Sequence, residues 1–129
     1  MTSNKLSIVL VSGEHERLQM AAMIASVGAV SGNDVSVFLS MNALSHFVKG
    51  ARPPRAEGRF GELMEEKNVP PFKQLFQQAA ELGDAKIAPC SMAMEILGVE
   101  PPQLEPFVGE PMGLTKFLAD AQGGQILSF

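Results

Sequence analysis

Leu6-Ser7-Ile8-Val9-Leu10-Val11-Ser12, broken at Gly13, is a nearly continuous apolar run rich in β-branched residues. A strand without a polar face belongs in the centre of a parallel sheet, covered by helices on both sides. Helical sequence follows from about Glu14 to Val30. Glu14 and Glu16 suit the positive end of the helix dipole, and Gly32 lies near the stop. Apolar residues circle this helix more widely than one buried face requires, so it is expected to be covered twice, by the sheet and by another protomer. Its longest apolar stretch, Leu18 to Val30, is interrupted by Gln19 and Ser26. That is too short for a bilayer, which takes about 18 or more apolar residues.

Outward from this unit the chain keeps alternating. Asp34 to Ser40 reads as a second strand, Asn42 to Lys49 as a short helix stopped by Gly50, and Phe72 to Leu82 as an amphipathic helix opened by Pro71 and capped by Gly83. Lys86 to Pro89 is a short strand, followed by a Cys90 helix that ends at Gly98. Leu104 to Val108 is a weak strand with Pro106 inside it. A helix from Pro111 to Gln122 and a strand from Gln125 to Phe129 close the chain. Between Gly50 and Pro71 the pattern fails in a Pro/Gly-rich loop, with a helical turn expected over Gly61 to Lys67. Strand-helix alternation implies right-handed crossovers. The expected fold is therefore a three-layer α/β/α single domain over residues 1–129, flavodoxin-like in general architecture, with a mostly parallel sheet of about five strands.

Composition narrows the function. The 129 residues are 46% hydrophobic and 19% charged, with a mean hydropathy of +0.12. So few charges leave apolar surface for a second subunit, and a homo-oligomer is expected. A net charge of −4 argues against nucleic acid as a partner. No signal peptide or membrane segment is visible, and a single cysteine fits the cytoplasm. Six of the ten basic residues fall between Lys49 and Lys73, with Arg52, Arg55 and Arg59 clustered, whereas residues 81–129 are acidic. That asymmetry suits either the steering of an anionic molecule or a solvated loop.

In open α/β sheets ligands collect outside the carboxyl ends of the strands. Four segments meet there: Ser12-Gly13-Glu14-His15, Ser40-Met41-Asn42, Cys90-Ser91 and Gly109-Glu110. Carboxylates in the first loop do not suit a flavodoxin phosphate site, and Asp34, Asp84 and Asp120 are not placed as in a phospho-receiver. GxGxxG, Walker and GxSxG motifs are absent, and one cysteine with two histidines makes a zinc site improbable, so neither cofactor nor metal is expected. Cys90 is the candidate catalytic residue. A helix start favours the nucleophilic thiolate, and with no second cysteine any exchange must pass to another molecule. Ser12, Gly13, His15, Asn42, Ser91 and Met92 are the candidate supporting residues. Each also has a plainer reading. Cys90 can be a small buried hydrophobe, Met92 and Met94 core filler, His15 an exposed first-turn histidine, and His46 structural or interfacial.

The chain resembles the DsrE/DsrF-like proteins. In these a first strand ending in a Ser/Gly turn, a long apolar helix, a VxVFxS second strand and a Cys near the third strand's end recur in this order. The likeness runs from Lys5 to Phe129, and Cys90-Ser91-Met92-Ala93-Met94-Glu95-Ile96-Leu97-Gly98-Val99 is similar to the CxMSM(D/E)xxG(I/V) run of one branch, with Ala93 where that branch has Ser. The resemblance implies a three-layer α/β fold, homo- or hetero-oligomers, and a sulfur relay in which Cys90 carries a persulfide and passes its terminal sulfur to a TusA-like carrier. The alternative is a non-catalytic oligomeric subunit or small-ligand binder with a structural Cys90. A rhodanese-type enzyme fits less well, because the residues after Cys90 are Met-rich rather than a Gly/Arg anion cradle.

Overall fold

The computed structural model describes residues 4–129. Met1 to Ser3, where no signal-peptide pattern was read, lie outside the described residues. The Leu6 run forms β1 (Lys5–Leu10), and the Glu14 helix is α1 (His15–Val30). Then come β2 (Asp34–Leu39), α2 (Met41–Leu44), α3 (Arg59–Glu66), α4 (Phe72–Gly83), β3 (Lys86–Pro89), α5 (Ser91–Leu97), α6 (Leu114–Asp120) and β4 (Gln125–Ser128). All pairings are parallel, in the order β3-β2-β1-β4. The chain therefore steps outward from β1 to β3 and then returns to the other side of β1.

The sheet has four strands rather than the expected five. Leu104 to Val108 does not join it: a 3-10 turn over Pro101–Gln103 leads to one antiparallel bridge between Val48 and Leu104. Pro106 has no N–H to donate, so no ladder can run through it. Instead residues 109–112 run beside β3, where the Gly109 N–H donates to the Ile87 carbonyl (2.7 Å) and the Met112 N–H to that of Pro89 (2.9 Å). That attachment delays the last helix, which begins at Leu114 and not at Pro111. The expected Asn42 to Lys49 helix is also shorter, with α2 passing into a 3-10 turn over Ser45–Phe47.

α1 and α4 pack together on one face of the sheet. Ala21, Ala22, Ala25, Gly28 and Ala29 line the inner side of α1 and let its backbone come close. Gly83 completes α4 rather than capping it, and the left-handed cap is Asp84 (φ 56°). The glycine is needed for approach: a Cβ there would stand 2.8 Å from the Ala29 carbonyl carbon. Buried Gln19, the polar interruption in the apolar run, donates to the Pro70 carbonyl at 3.0 Å. Phe47 binds this side together, with ring centroids 5.9 Å from Phe72, 5.4 Å from Phe76 and 6.2 Å from Phe107.

The other face is covered more thinly, contrary to the symmetrical burial the β1 sequence suggests. Alternation sends Leu6, Ile8 and Leu10 toward α1 but Ser7 and Val9 the other way. The Phe38 ring meets Phe117 of α6 at 4.9 Å. Among the described residues no helix is long and apolar enough to cross a membrane.

Candidate functional site

Cys90 follows the last residue of β3 and is the N-cap of α5, still in extended conformation (φ −69°, ψ 121°). Alternation through Lys86, Ala88 and Cys90 puts its side chain on the thinly covered face. The backbone fixes it firmly. Its N–H donates to the Leu39 carbonyl at 2.8 Å, and its carbonyl accepts from the Met94 N–H at 3.0 Å. Pro89 and Leu39 are register partners, so Ser40 is the next residue level with Cys90, on the same face. Both are buried, Ser40 at 4% and Cys90 at 5% exposure. Sequence reasoning places Ser40 at this edge but leaves it out of the site. The signal was its even spacing from Ser36 and Phe38.

On the outer side, Cys90 bridges Met112 in parallel, and the Ser91 N–H donates to the Met112 carbonyl at 3.1 Å. Ser91 and Met92 are exposed, whereas Met94 is buried in the core. The thiol itself makes no capping hydrogen bond to α5. The thiol is buried in the hydrophobic core cluster, and the chain has no second cysteine.

The remaining candidates form a second group. The Ser12 hydroxyl accepts from the Glu14 N–H at 3.0 Å, which turns the chain into α1. Gly13 stands against the Asn42 amide and His46 Nε2, which a Cβ at Gly13 would meet at 3.0 Å, so the loops after β1 and β2 meet here. His46, which had no evident partner in the sequence, thus belongs to the strand-end loops. Burial holds its pKa below the usual histidine value; a hydrogen bond with the Arg52 backbone raises it, and the Lys73 charge lowers it further. With its pKa lowered, the neutral imidazole predominates at pH 7. His15 goes elsewhere. Its Nδ1 is buried without a hydrogen-bond partner among the described residues and packs near Gly61, in the first turn of α3. Arg52 and Arg55 are exposed along the loop before α3, and Arg59 is exposed at its first residue. The described residues hold no group of three or more His, Cys, Asp or Glu fit to bind a metal.

Residues 55–129, which include Cys90, match the DsrE/DsrF/DrsH-like family. The uncharacterized protein YrkE of Bacillus subtilis (strain 168) is 26% identical, over 98% of this chain and 97% of its own length. Among solved structures, the YchN protein of E. coli superposes with a TM-score of 0.66 at 16% identity, covering 100% of both chains. A conserved protein of unknown function from Bacteroides thetaiotaomicron gives 0.63 at 18% identity, covering 98% of this chain and 95% of the other. At such identities the superpositions establish the fold.

Proposed function

The chain belongs to the DsrE/DsrF/DrsH-like family, and from that premise we propose that it is a sulfur carrier or sulfurtransferase that holds a persulfide on Cys90. The observation that carries this reading is the position of the lone thiol, at the carboxyl end of β3 where the chain turns into α5. In the first step the Cys90 thiolate attacks the terminal sulfur of a persulfide or polysulfide donor. The donor's S–S bond breaks, a Cys90–S–S⁻ forms, and the donor leaves as a thiolate or shortened polysulfide that takes up a proton. In the second step an acceptor thiolate, such as that of a TusA-like carrier, attacks the outer sulfur and frees the Cys90 thiolate. Neither step consumes an external oxidant, and neither uses a resolving cysteine. A thiol kept reduced for this work suits the cytoplasm.

Self-association belongs to the same proposal. Met20, Met23, Val27 and Val30 stand in a helical stripe on the outer side of α1, with Val27 and Val30 each 66% exposed. A second copy covering that stripe would remove it from water.

The 5% exposure of Cys90 favours a second reading, a structural thiol in a non-catalytic subunit. One experiment separates the two. Intact mass is measured after incubation with polysulfide, for the wild type and for Cys90→Ser. The carrier gains sulfur that a reductant removes, and the variant gains none. A wild type that gains no sulfur under conditions where a small-molecule thiol does leaves only the structural reading.

A further inference from the structure

Cys90 is recessed, but the residues around it are not. Three helices start at this end of the sheet, and each opens on an exposed apolar side chain: Met41 is the first residue of α2, Met92 the second of α5 and Leu114 the first of α6. Ser40 is level with Cys90 and Met112 bridges it, so strand spacings of about 4.8 Å and Cα steps of about 3.8 Å keep all three Cα atoms within about 12 Å of that of Cys90. Ile96 extends the patch by one turn along α5. We propose that this collar is the docking surface for a protein acceptor that presents its thiol on a protruding apolar segment, an inference that rests on the carrier reading of Cys90.

Met41, Met92, Ile96 and Leu114 are between 51% and 74% exposed. Together they present roughly 400 Å2 of apolar surface, half of the ~800 Å2 that each partner buries in a standard interface and most of what a transient one needs. Single exposed apolar residues are ordinary, but four around one buried thiol form a patch. The backbone adds an independent sign. Met41 has φ 51°, in the left-handed region that a residue with a Cβ rarely enters. Glycine would sit there without strain, yet the position holds a large side chain left mostly in solvent. Strain retained for such a side chain fits a contact made outside the chain.

The recess selects the occupant. Cys90 is 5% exposed among these residues. A second copy related by a two-fold axis would set two equally recessed thiols face to face and shut both off from a donor. The acceptor must instead be convex, with its sulfur at the tip. The α1 stripe assigned to self-association lies beyond the opposite face of the sheet, so both contacts can exist at once.

The test uses thiol–disulfide exchange, which needs no persulfide. Two short peptides of equal length and charge carry one cysteine as its 2-pyridyl disulfide, flanked by leucines in one and by serines in the other, and methyl 2-pyridyl disulfide is the small probe. The Cys90 thiolate attacks the sulfur of the peptide cysteine, the S–S bond breaks, and the pyridine thiolate leaves, takes up a proton and is read by absorbance as pyridine-2-thione. The leucine peptide should react at least about tenfold faster than the serine peptide, and Cys90→Ser should release nothing. Ile96→Ser with Leu114→Ser should slow the leucine peptide at least about fivefold and leave the small probe's rate unchanged. Met41→Gly should slow it likewise without lowering the urea midpoint, because the backbone relaxes as the side chain is deleted. Equal rates for the two peptides, or collar variants without effect, overturn the docking proposal alone, since the small probe still reports a reactive thiol. Failure of the small probe to react overturns the carrier reading as well. A lower mass of the double variant in light scattering would make the collar a contact between copies, and the proposal would fall.

Discussion

The two faces of the sheet are made by the same strands and differ in almost everything else. Toward α1 and α4 the strands present Ile8, Leu10, Val35, Val37, Leu39 and Ile87, all at 2% exposure or less. Toward α6 they present Ser7, Ser36, Phe38, Ser40, Lys86, Ala88 and Cys90, a row that mixes small polar groups, charges and one thiol. The first face has two long helices over it, and the second a helix of seven residues resting on Phe38 through Phe117. Stability is concentrated where burial is complete and apolar. Chemistry has room on the other side, where the short α6 leaves part of the face open.

Neighbouring residues of β1 give the sharpest contrast. Ile8→Ala, on the apolar face, should cost about 2–5 kcal/mol in urea unfolding. Ser7→Ala, on the opposite face, should change stability by less than about 0.5 kcal/mol, since it removes one hydroxyl that faces the open pocket under α6 and leaves the strand ladder intact. Equal losses at both positions would break the comparison. Gly83→Ala tests the same side through the backbone. Forcing a methyl against Ala29 should cost about 1–3 kcal/mol, well beyond the few tenths that entropy would otherwise return.

The outer side of α1 should behave in the opposite way. Val27→Glu with Val30→Glu should leave the monomer's unfolding midpoint nearly unchanged at low protein concentration but reduce the assembly size seen by light scattering. An unchanged mass would show that the stripe is not the interface. The smallest effect concerns pH. His46 has a folded pKa below its unfolded value, so the unfolded chain binds its proton first and acid favours unfolding. The stability tied to neutral His46 is present above about pH 6.5 and declines as pH falls through the lower folded pKa. In His46→Gln that part of the pH slope should flatten. An identical slope would assign it to other groups.

Much of this was legible in the sequence. The element order, the bounds of α1, β3 and the Gly98 stop, and the place of Cys90 between strand and helix follow from periodicity and from Gly and Pro positions. The family resemblance added what patterning does not contain, the sulfur reading of Cys90. The misses share a cause. Leu104 to Val108 looks extended, yet its proline leaves it a single bridge, and Pro111 looks like a helix start, yet residues 109–112 are held against β3 by hydrogen bonds to Ile87 and Pro89. Local propensity cannot see a partner that is distant along the chain.

The sequence by itself determined the parallel α/β order and the solitary thiol, because hydrophobic period and residue type are properties of the local chain. Only the tertiary structure decided that Ser7, Ser36, Lys86 and Cys90 share one face, that Ser40 stands level with Cys90, and that His46 reaches Gly13 while His15 turns to α3. Those relations depend on strand register and on which backbones approach closely, and register is fixed only when the two faces are packed against their helices.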